Sequence, residues 1–421
     1  MRALLRLARL LLVQRRALTV VAVLFFVSLI VAFANGFWLM SRLANALLVT
    51  LPVAYLWSRL NLRGLEVTVE RPASGGLQEG NYFEERITVV NRSWLTKLWL
   101  EVENLSDLPG HAPRRVISLS PRGRRSWRAV SPCTRRGLYT VGPVRVTTGD
   151  LFGLFRHART FGVQQHVLVF PRAVELPNFY VRPALLPGEG RFRRPTYYVT
   201  PNASSIRDYQ PGDSFNRIHW PSTARSREMM VKLFELDPAS DIWAVLDLHR
   251  DVQAGEGDDG TEEHAVRIAA SVARFFLLAN RTVGFLAYGR QLHVEEAERG
   301  LSQYTRILEA LALARAEGDV PLADLLNHEG RRFGRHTTVV VITPSTEEDW
   351  VLSLQTLAGR GVKLAAILLE AGTFGGSGNT LVTYGALAAA DVFTYLVKRS
   401  DDLTATLGSG VEAALPAGGG A

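Results

Sequence analysis

The chain has 421 residues, which exceeds the usual single-domain length of about 100 to 200 residues and favours two soluble domains beside any membrane part. Hydrophobic residues make up 47% and charged residues 21%, a composition that is ordinary for globular domains. The net charge of +8 raises the question of a polyanionic partner, but no nucleic-acid-binding motif or repeated aromatic-basic pattern is present, which argues against nucleic acid.

The amino-terminal region is predicted to form a transmembrane helical hairpin, residues 17–60, after a basic segment, residues 1–16. No charge interrupts the run from Ala17 to Ser41, which is long enough to cross a hydrocarbon core of about 30 Å. A second, slightly short apolar run follows from Leu43 to Ser58. The alternative is a signal peptide cleaved after the small-x-small pattern Ala32-Phe33-Ala34, which the second run disfavours.

The positive charges around these runs predict the topology. Arginines precede the first run and follow the second, and only Arg42 lies between them. The positive-inside rule therefore predicts a multi-pass protein of the inner membrane, with the amino terminus and the soluble domains in the cytoplasm. The arginines before the first run are Arg2, Arg6, Arg9, Arg15 and Arg16.

Residues 62–180 are predicted to form an all-β sandwich of immunoglobulin or fibronectin type, because apolar and polar residues alternate in short runs separated by turn residues. The stretch from Gly137 to Val146 is predicted to be two strands joined by a turn at Gly142-Pro143. The single cysteine, Cys133, excludes an intrachain disulfide, indicates a reducing compartment and is expected to pack as a small hydrophobe. Asp150 is expected to accept backbone N–H bonds in its own turn rather than to act as a catalytic acid.

The most distinctive part of the chain is a linker and signature segment, residues 181–225. It reads R-D-Y-Q-P-G-D-S-F-N-R-I-H-W from Arg207 to Trp220, and S-T-A-R follows, ending at Arg225. This pattern resembles the signature of the bacterial "domain of unknown function 58" family, with Pro221 where a basic residue is usual. The signature residues are Arg207, Asp208, Tyr209, Pro211, Gly212, Asp213, Ile218, Trp220, Ala224 and Arg225.

An element further upstream, from Arg136 to Phe155, resembles the R-G-x-Y-x-x-G-P and D-x-F-G-L-F parts of the same family pattern. In the signature itself, Pro211-Gly212 predicts a turn, and Ile218 with Trp220 alternates as a strand with one apolar face. We expect this segment to dock on the following module, because no nucleophile or phosphate-binding loop lies at a diagnostic spacing. The acid-base alternative would use Asp208, Asp213 and His219.

Residues 226–408 are predicted to form an α/β domain with a doubly wound, largely parallel sheet, because strand-like and helical runs alternate. This module resembles domains of von Willebrand factor A type. A helix is predicted to begin at Thr261, and the tail of residues 409–421, rich in Gly and Ala, is predicted to be disordered. The predicted strands are Ile242–Leu246, Val283–Tyr288, Thr337–Ile342, Leu364–Leu369 and Val392–Val397.

A degenerate metal site is predicted where the first of these strands ends. The resemblance to A-type domains implies the pattern D-x-S-x-S there, but His249 and Asp251 replace the two serines after Asp247. Mg²⁺ prefers oxygen ligands in octahedral geometry, so only Asp247 and Asp251 remain as weak ligands, and no cofactor is expected. Thr305 could supply a loop hydroxyl or could lie in a helix that ends near Ala316.

These observations favour a membrane-anchored, non-enzymatic scaffold or adaptor that offers the strand-end surface of the α/β module to a protein partner. The family resemblance implies a MoxR-type AAA+ ATPase as the candidate partner, in envelope-related or protein-maturation processes. A sugar- or polymer-binding β module is disfavoured, because Tyr82, Trp94 and Trp99 are unevenly spaced. The main alternative is a metal-dependent hydrolase or transferase that acts on cell-envelope precursors and uses Asp208, Asp213, Asp247 and Asp251.

Overall fold

The computed structural model describes most of the chain, in two compact units. The units are Met1–Phe170 and Pro171–Ala421. The predicted linker around Pro187 to Arg194, the signature residues Pro211, Gly212 and Asp213, and the tail of residues 409–421 lie outside the described residues. The described residues are 2–71, 76–111, 113–181, 203–209, 218–226, 228–234 and 241–408.

The first unit begins with two long apolar helices, α1 (Arg2–Asn35) and α2 (Trp38–Asn61). Leu18–Asn35 and all of α2 are long and apolar enough to cross a membrane, which indicates membrane association. The two predicted apolar runs are separated at Arg42, but the two helices are separated at Gly36, whose φ of +60° suits a residue without a Cβ. Arg42 therefore lies inside α2, and the second apolar segment has 24 residues instead of being short.

The second helix ends directly on the β module. Asn61 Nδ2 donates a hydrogen bond to the Leu98 carbonyl at 2.7 Å, and the Leu98 N–H donates to Asn61 Oδ1 at 3.2 Å. The buried Lys97 ammonium donates to the Leu60 carbonyl at 2.6 Å, and burial lowers the pKa of Lys97. The last turn of α2 is therefore held by hydrogen bonds to Lys97 and Leu98.

Two antiparallel sheets follow, as the predicted β-sandwich requires. One has the order β1-β2-β5, and the other has the order β4-β3-β6-β7 with β8 also paired to β6. Ile87 and Val89 of one sheet share a buried core with Leu100 and Val146 of the other. The strands are β1 (Leu65–Glu70), β2 (Tyr82–Asn91), β3 (Lys97–Ser106), β4 (Arg114–Leu119), β5 (Arg124–Pro132), β6 (Gly137–Gly149), β7 (Arg156–Phe161) and β8 (Gln165–Val169).

The prediction of two strands around Gly142-Pro143 is wrong, because β6 is one strand that changes partner there. Residues before Gly142 pair with β8, and residues after Pro143 pair with β7. Gly142 has a φ of +85°, and a Cβ at this position would lie 2.9 Å from the Val163 carbonyl oxygen. The glycine therefore allows a bend and a close approach rather than a chain reversal. Cys133 is buried as predicted, and burial raises the pKa of its thiol.

The sandwich ends earlier than the predicted boundary at residue 180, because residues 171–181 belong to the second unit. The Val174 N–H donates to Ser271 Oγ at 2.9 Å. The Phe179 ring stacks on Tyr395 with centroids 5.3 Å apart, and the Tyr395 hydroxyl donates to the Tyr180 carbonyl at 2.8 Å. These residues are thus anchored on the α/β module.

The signature segment contains regular structure rather than only linker. Strand β9 (Ala203–Asp208) pairs antiparallel with β10 (Met230–Phe234), and helix α3 (Trp220–Ser226) lies between them in sequence. Ile218 is buried and bridges Val231, as a strand residue should. The strand prediction for Trp220 is wrong, because Trp220 begins α3 and is 66% exposed. Pro221 explains this, since proline suits the first turn of a helix and cannot donate in a strand.

The α/β module has a six-stranded sheet of order β13-β12-β11-β14-β15-β16, in which only β13 among the paired strands is antiparallel. All the strands predicted in this module are confirmed, and β13 was missed. Thr305 lies inside α5 and donates to the Leu301 carbonyl. The elements are β11 (Asp241–Leu246), α4 (Thr261–Leu278), β12 (Val283–Tyr288), β13 (Leu292–Glu298), α5 (Leu301–Leu313), α6 (Leu322–Glu329), β14 (Thr337–Thr343), α7 (Asp349–Gly359), β15 (Lys363–Leu369), α8 (Thr380–Ala389), β16 (Phe393–Val397) and α9 (Leu403–Gly408).

Helices cover both faces of this sheet. Trp243 and Val245 of β11 pack into a core with Leu326 of α6 and Leu354 of α7. Because side chains alternate along a strand, the neighbouring Leu246 points to the other face, where α4 packs on β11. The chain leaves the centre of the sheet in opposite directions from β11 and β14, and their carboxyl ends form the switch point where ligands of such sheets bind.

Candidate functional site

Asp247 is the first residue after β11 and lies at this switch point. Its carboxylate accepts a hydrogen bond from the Thr343 hydroxyl at 2.6 Å and another from the His249 N–H at 3.0 Å. Its own N–H donates to the Ile342 carbonyl at 3.0 Å. Asp247 is only 2% exposed, so its side chain is fixed between two neighbouring strand ends.

The electrostatics of Asp247 are dominated by desolvation. Burial raises the pKa of Asp247, the hydrogen bonds from Thr343 and His249 act in the opposite direction, and the nearby negative charge of Glu347 raises it further. The net direction is upward. Positive charge brought to this edge of the sheet would therefore stabilise the ionised carboxylate.

The end of β14 supplies buried hydroxyls to the same place. The Ser345 N–H donates to Thr343 Oγ1 at 2.9 Å, so the Thr343 hydroxyl accepts one bond while it donates to Asp247. The Glu347 N–H in turn donates to Ser345 Oγ at 3.3 Å. The loop after β14 is thus tied to Asp247 through a chain of side-chain and backbone hydrogen bonds.

The loop after β11 is braced against the start of α4. Gln253 Nε2 donates to the Asp247 carbonyl at 3.1 Å, and the Thr261 hydroxyl donates to Gln253 Oε1 at 2.8 Å. His249 is buried, and its Nδ1 atom has no hydrogen-bond partner among the described residues. His249 Nε2 lies 3.6 Å from the carboxylate of Asp251.

The two predicted metal ligands lie in different environments. Asp247 is buried with both carboxylate oxygens hydrogen-bonded, whereas the side chain of Asp251 is 74% exposed and lies beside His249 and Arg250. Within the part of the chain that the structure describes, no group of three His, Cys, Asp or Glu side chains is arranged to hold a metal ion. A hard cation would need about six oxygen ligands. Both carboxylate oxygens of Asp247 are thus engaged by hydrogen bonds within the protein.

The surface around the switch point is acidic. Glu347, Glu348 and Asp349 are exposed between β14 and the start of α7, and Asp251 is exposed in the loop after β11. The Arg250 guanidinium lies 3.8 Å from the Asp251 carboxylate. We refer to Asp251, Glu347, Glu348 and Asp349 as the acidic rim.

The described signature residues lie on β9 and α3 or directly beside them, and Ile218 bridges Val231 of β10. The Tyr209 N–H donates to the Met229 carbonyl at 2.8 Å, and the His219 N–H donates to the Met230 carbonyl at 2.8 Å. His219 Nδ1 lies 2.7 Å from Ser222 Oγ in the first turn of α3. The placement of the others is as follows: Arg207 pairs through its backbone with Val231, Asp208 ends β9 and is exposed, and Ala224 and Arg225 are exposed on α3.

Sequence reasoning found Asp247 but missed the residues that hold it. Thr343 and Ser345 are not among the predicted site residues, and Thr261 is predicted only as the start of a helix. The signal that could have found them is topological, because neighbouring parallel strands end at the same edge of a sheet and Thr343 ends the strand beside β11.

Comparison with known proteins matches this region to a family. Residues 205–371 match the family model described as "Protein of unknown function DUF58". The matched residues include the described part of the signature, Asp247 and the residues that form hydrogen bonds with it. The motif-based resemblance is therefore supported over these residues.

Curated relatives match part of this chain. "Uncharacterized protein YeaD" of Bacillus subtilis is 26% identical over 232 residues, 53% of this chain and 54% of the relative. "Uncharacterized protein Mb1516" of Mycobacterium bovis is 28% identical over 173 residues, 39% of this chain and 53% of the relative. The chain thus spans about half the length of the curated relatives it matches. Among solved structures, the CARDB domain of PF1109 from Pyrococcus furiosus matches with 17% identity, 25% of this chain, 94% of that chain and a TM-score of 0.19.

Proposed function

We propose that this protein is a membrane-anchored, non-enzymatic scaffold or adaptor of the DUF58 family, whose α/β module offers the acidic rim to a protein partner. The observation that carries the proposal is the state of Asp247. Its carboxylate is buried and bonded to Thr343 and His249, so the side chain that could act as nucleophile or metal ligand serves to order the strand ends.

An assignment of the α/β module to the von Willebrand factor A type is part of this proposal. It is supported by the strand order, with one antiparallel edge strand, and by an aspartate directly after the central strand β11. Loops at the carboxyl ends of such sheets are where partners and ligands bind. This general rule supports a partner surface at the acidic rim.

The membrane topology in this proposal has both helices spanning the inner membrane and the soluble units in the cytoplasm. Support comes from the two apolar helices and from the arginines that flank them. In this arrangement the α/β module works close to the inner face of the bilayer.

The charge of the rim specifies the chemistry of the partner. Exposed carboxylates at Glu347, Glu348 and Asp349 favour a partner face rich in Arg and Lys, and they would speed its association at low ionic strength. The family resemblance supplies a MoxR-type AAA+ ATPase as the candidate, in envelope-related or protein-maturation processes.

Affinity capture of the full chain from detergent-solubilised native membranes tests this proposal. We expect wild-type protein to recover a MoxR-type ATPase, and Glu348→Lys to weaken that recovery roughly three- to tenfold, because exposed charge pairs contribute about 0.2–1 kcal/mol and reversal turns attraction into repulsion. The matched control is Glu309→Lys, an exposed glutamate on α5 outside the rim. Equal recovery from both variants, or no ATPase from wild-type protein, would refute the proposal.

A further inference from the structure

One hairpin of the sandwich runs alongside the second apolar helix. Asn61 Nδ2 donates to Thr148 Oγ1 at 2.6 Å, and Ser58 Oγ lies 3.0 Å from His157 Nδ1. Thr148 and His157 are opposite each other in the β6–β7 pair. The end of α2 is therefore fixed to the β6–β7 hairpin close to its connecting loop, one residue pair before the last pair, Gly149 with Arg156.

A further contact lies closer to the hairpin tip, and on the helix it involves a residue nearer the amino terminus of α2. The Tyr55 ring meets Phe155 edge-on with centroids 5.4 Å apart, beyond the last β6–β7 pair, Gly149 with Arg156. Tyr55 lies six residues before Asn61, which corresponds to about 9 Å of helix. The tip of the hairpin, residues 150–155, thus reaches down beside a helix that is apolar enough to cross a membrane.

The tip is apolar, exposed and ordered. Leu151 is 60% exposed and Phe152 is 64% exposed, although both belong to a loop with defined hydrogen bonds. Asp150 accepts hydrogen bonds from the Phe152 N–H at 2.8 Å and from the Phe155 N–H, so its predicted turn role is confirmed. The carboxylate that could oppose contact with lipid is therefore bonded within the loop.

Basic side chains lie at the base of this tip. Arg156 is exposed at the start of β7, and the Arg59 guanidinium lies over the Tyr55 ring, 5.3 Å from its centroid. Tyrosine and arginine at the end of an apolar helix are typical of the headgroup level of a bilayer. Leu151 and Phe152 belong to the same short loop as Phe155, which contacts Tyr55 of the apolar helix.

We propose that the 150–155 loop inserts into the bilayer beside α2, with Leu151 and Phe152 among the lipid chains and Arg59 and Arg156 at the headgroups. The occupant of this exposed apolar surface is lipid, because the loop is continuous with the α2 surface and reaches the same depth as Tyr55. The sandwich is then seated on the membrane by two elements, the helix and the loop, rather than by the helix alone. The inference rests on α2 lying in the membrane and is independent of the partner proposed for the acidic rim.

Site-directed spin labelling of the full chain in lipid nanodiscs tests the insertion. Single cysteines replace exposed side chains in a Cys133→Ala background: Leu151→Cys and Phe152→Cys at the tip, Val163→Cys as the control, and Phe26→Cys in α1 as the reporter of the membrane span. Val163 is 73% exposed in the turn between β7 and β8, at the opposite end of β7 from the 150–155 loop. Accessibility to oxygen and to a water-soluble nickel chelate gives the depth of each label.

We expect labels at positions 151, 152 and 26 to be at least tenfold more accessible to oxygen, relative to the nickel chelate, than the label at position 163. Labels at 151 and 152 that behave like the one at 163, while the label at 26 reports lipid, would overturn the insertion and leave the helical anchor intact. If the label at 26 also reported water, both the insertion and the membrane span would be refuted. Every labelled side chain is exposed, and the one buried change, Cys133→Ala, is shared by all four labelled proteins.

Discussion

Replacing Thr343 by valine isolates the hydrogen bond that holds Asp247. Valine has nearly the same shape as threonine but cannot donate to the Asp247 carboxylate or accept from the Ser345 N–H. A hydrogen bond to a charged group contributes about 1.5–3 kcal/mol, and a stranded buried N–H costs about 1 kcal/mol more. We therefore expect Thr343→Val to lower the free energy of unfolding of the α/β module by about 3 kcal/mol.

For a domain of this size, a loss of 3 kcal/mol corresponds to a fall in melting temperature of about 6–12 °C. Tryptophan fluorescence is a suitable assay, because Trp243 and Trp350 are buried in the core of this module. The matched control is Thr356→Val, which removes an exposed hydroxyl on α7. Thr343→Ser keeps the hydroxyl and should recover most of the stability.

The cost of Thr343→Val should also depend on pH. Burial raises the pKa of Asp247 in the folded state, so protonation favours the folded module in acid, and ionisation opposes it as pH rises through the folded pKa. The lost bond involves a charged acceptor only when Asp247 is ionised. The destabilisation should therefore be greatest above the folded-state pKa of Asp247 and should decline as the pH falls below it. If Thr343→Val were as stable at neutral pH as the control Thr356→Val, the proposed role of the Thr343 hydroxyl would be refuted.

Two further predictions concern the metal-dependent alternative and the inserted loop. Elemental analysis of purified full-length protein should find less than one Mg²⁺ or Mn²⁺ per chain, with no change in Asp247→Ala; a stoichiometric ion lost in this variant would favour the hydrolase or transferase. Asp150→Ala should speed hydrogen exchange at the Phe152 and Phe155 amides by about thirtyfold, because losing charge-assisted bonds lowers the local opening free energy by about 2 kcal/mol. Unchanged exchange at these amides would contradict the role given to Asp150.

The buried strands of the α/β module were predictable from sequence, and the exposed one was not. Strands such as Thr337–Thr343 are continuous runs of β-branched residues buried on both faces, which give a strong signal. Strand β13, Leu292–Glu298, contains three glutamates and lies half exposed at the sheet edge, so it has no apolar run. The alternation of Ile218 and Trp220 predicted a strand, but Trp220 begins a helix, because Pro221 suits the first turn of a helix and cannot donate a hydrogen bond in a strand.

The candidate site was predictable in position but not in its bonding. The aspartate after β11 follows from the alternation of strands and helices along the chain. Its donor, Thr343, is 96 residues away in sequence, and only the pairing of β11 with β14 brings the two together. The bend at Gly142 was misjudged for a similar reason, because Gly-Pro signals a turn locally while the partner strands β7 and β8 keep the chain extended.

Because α2 is joined directly to the sandwich, the orientation of the β module should follow the tilt of the helix in the membrane. The hydrogen bonds of Asn61 and Lys97 fix the end of α2 to the sandwich. The β module should therefore rotate with the helix as one rigid body when the helix tilts. Strand β6 has 13 residues and is about 40 Å long, so a lean of about 10° would swing its far end by about 7 Å. The angle between the β module and the bilayer normal should therefore change with the thickness of the bilayer.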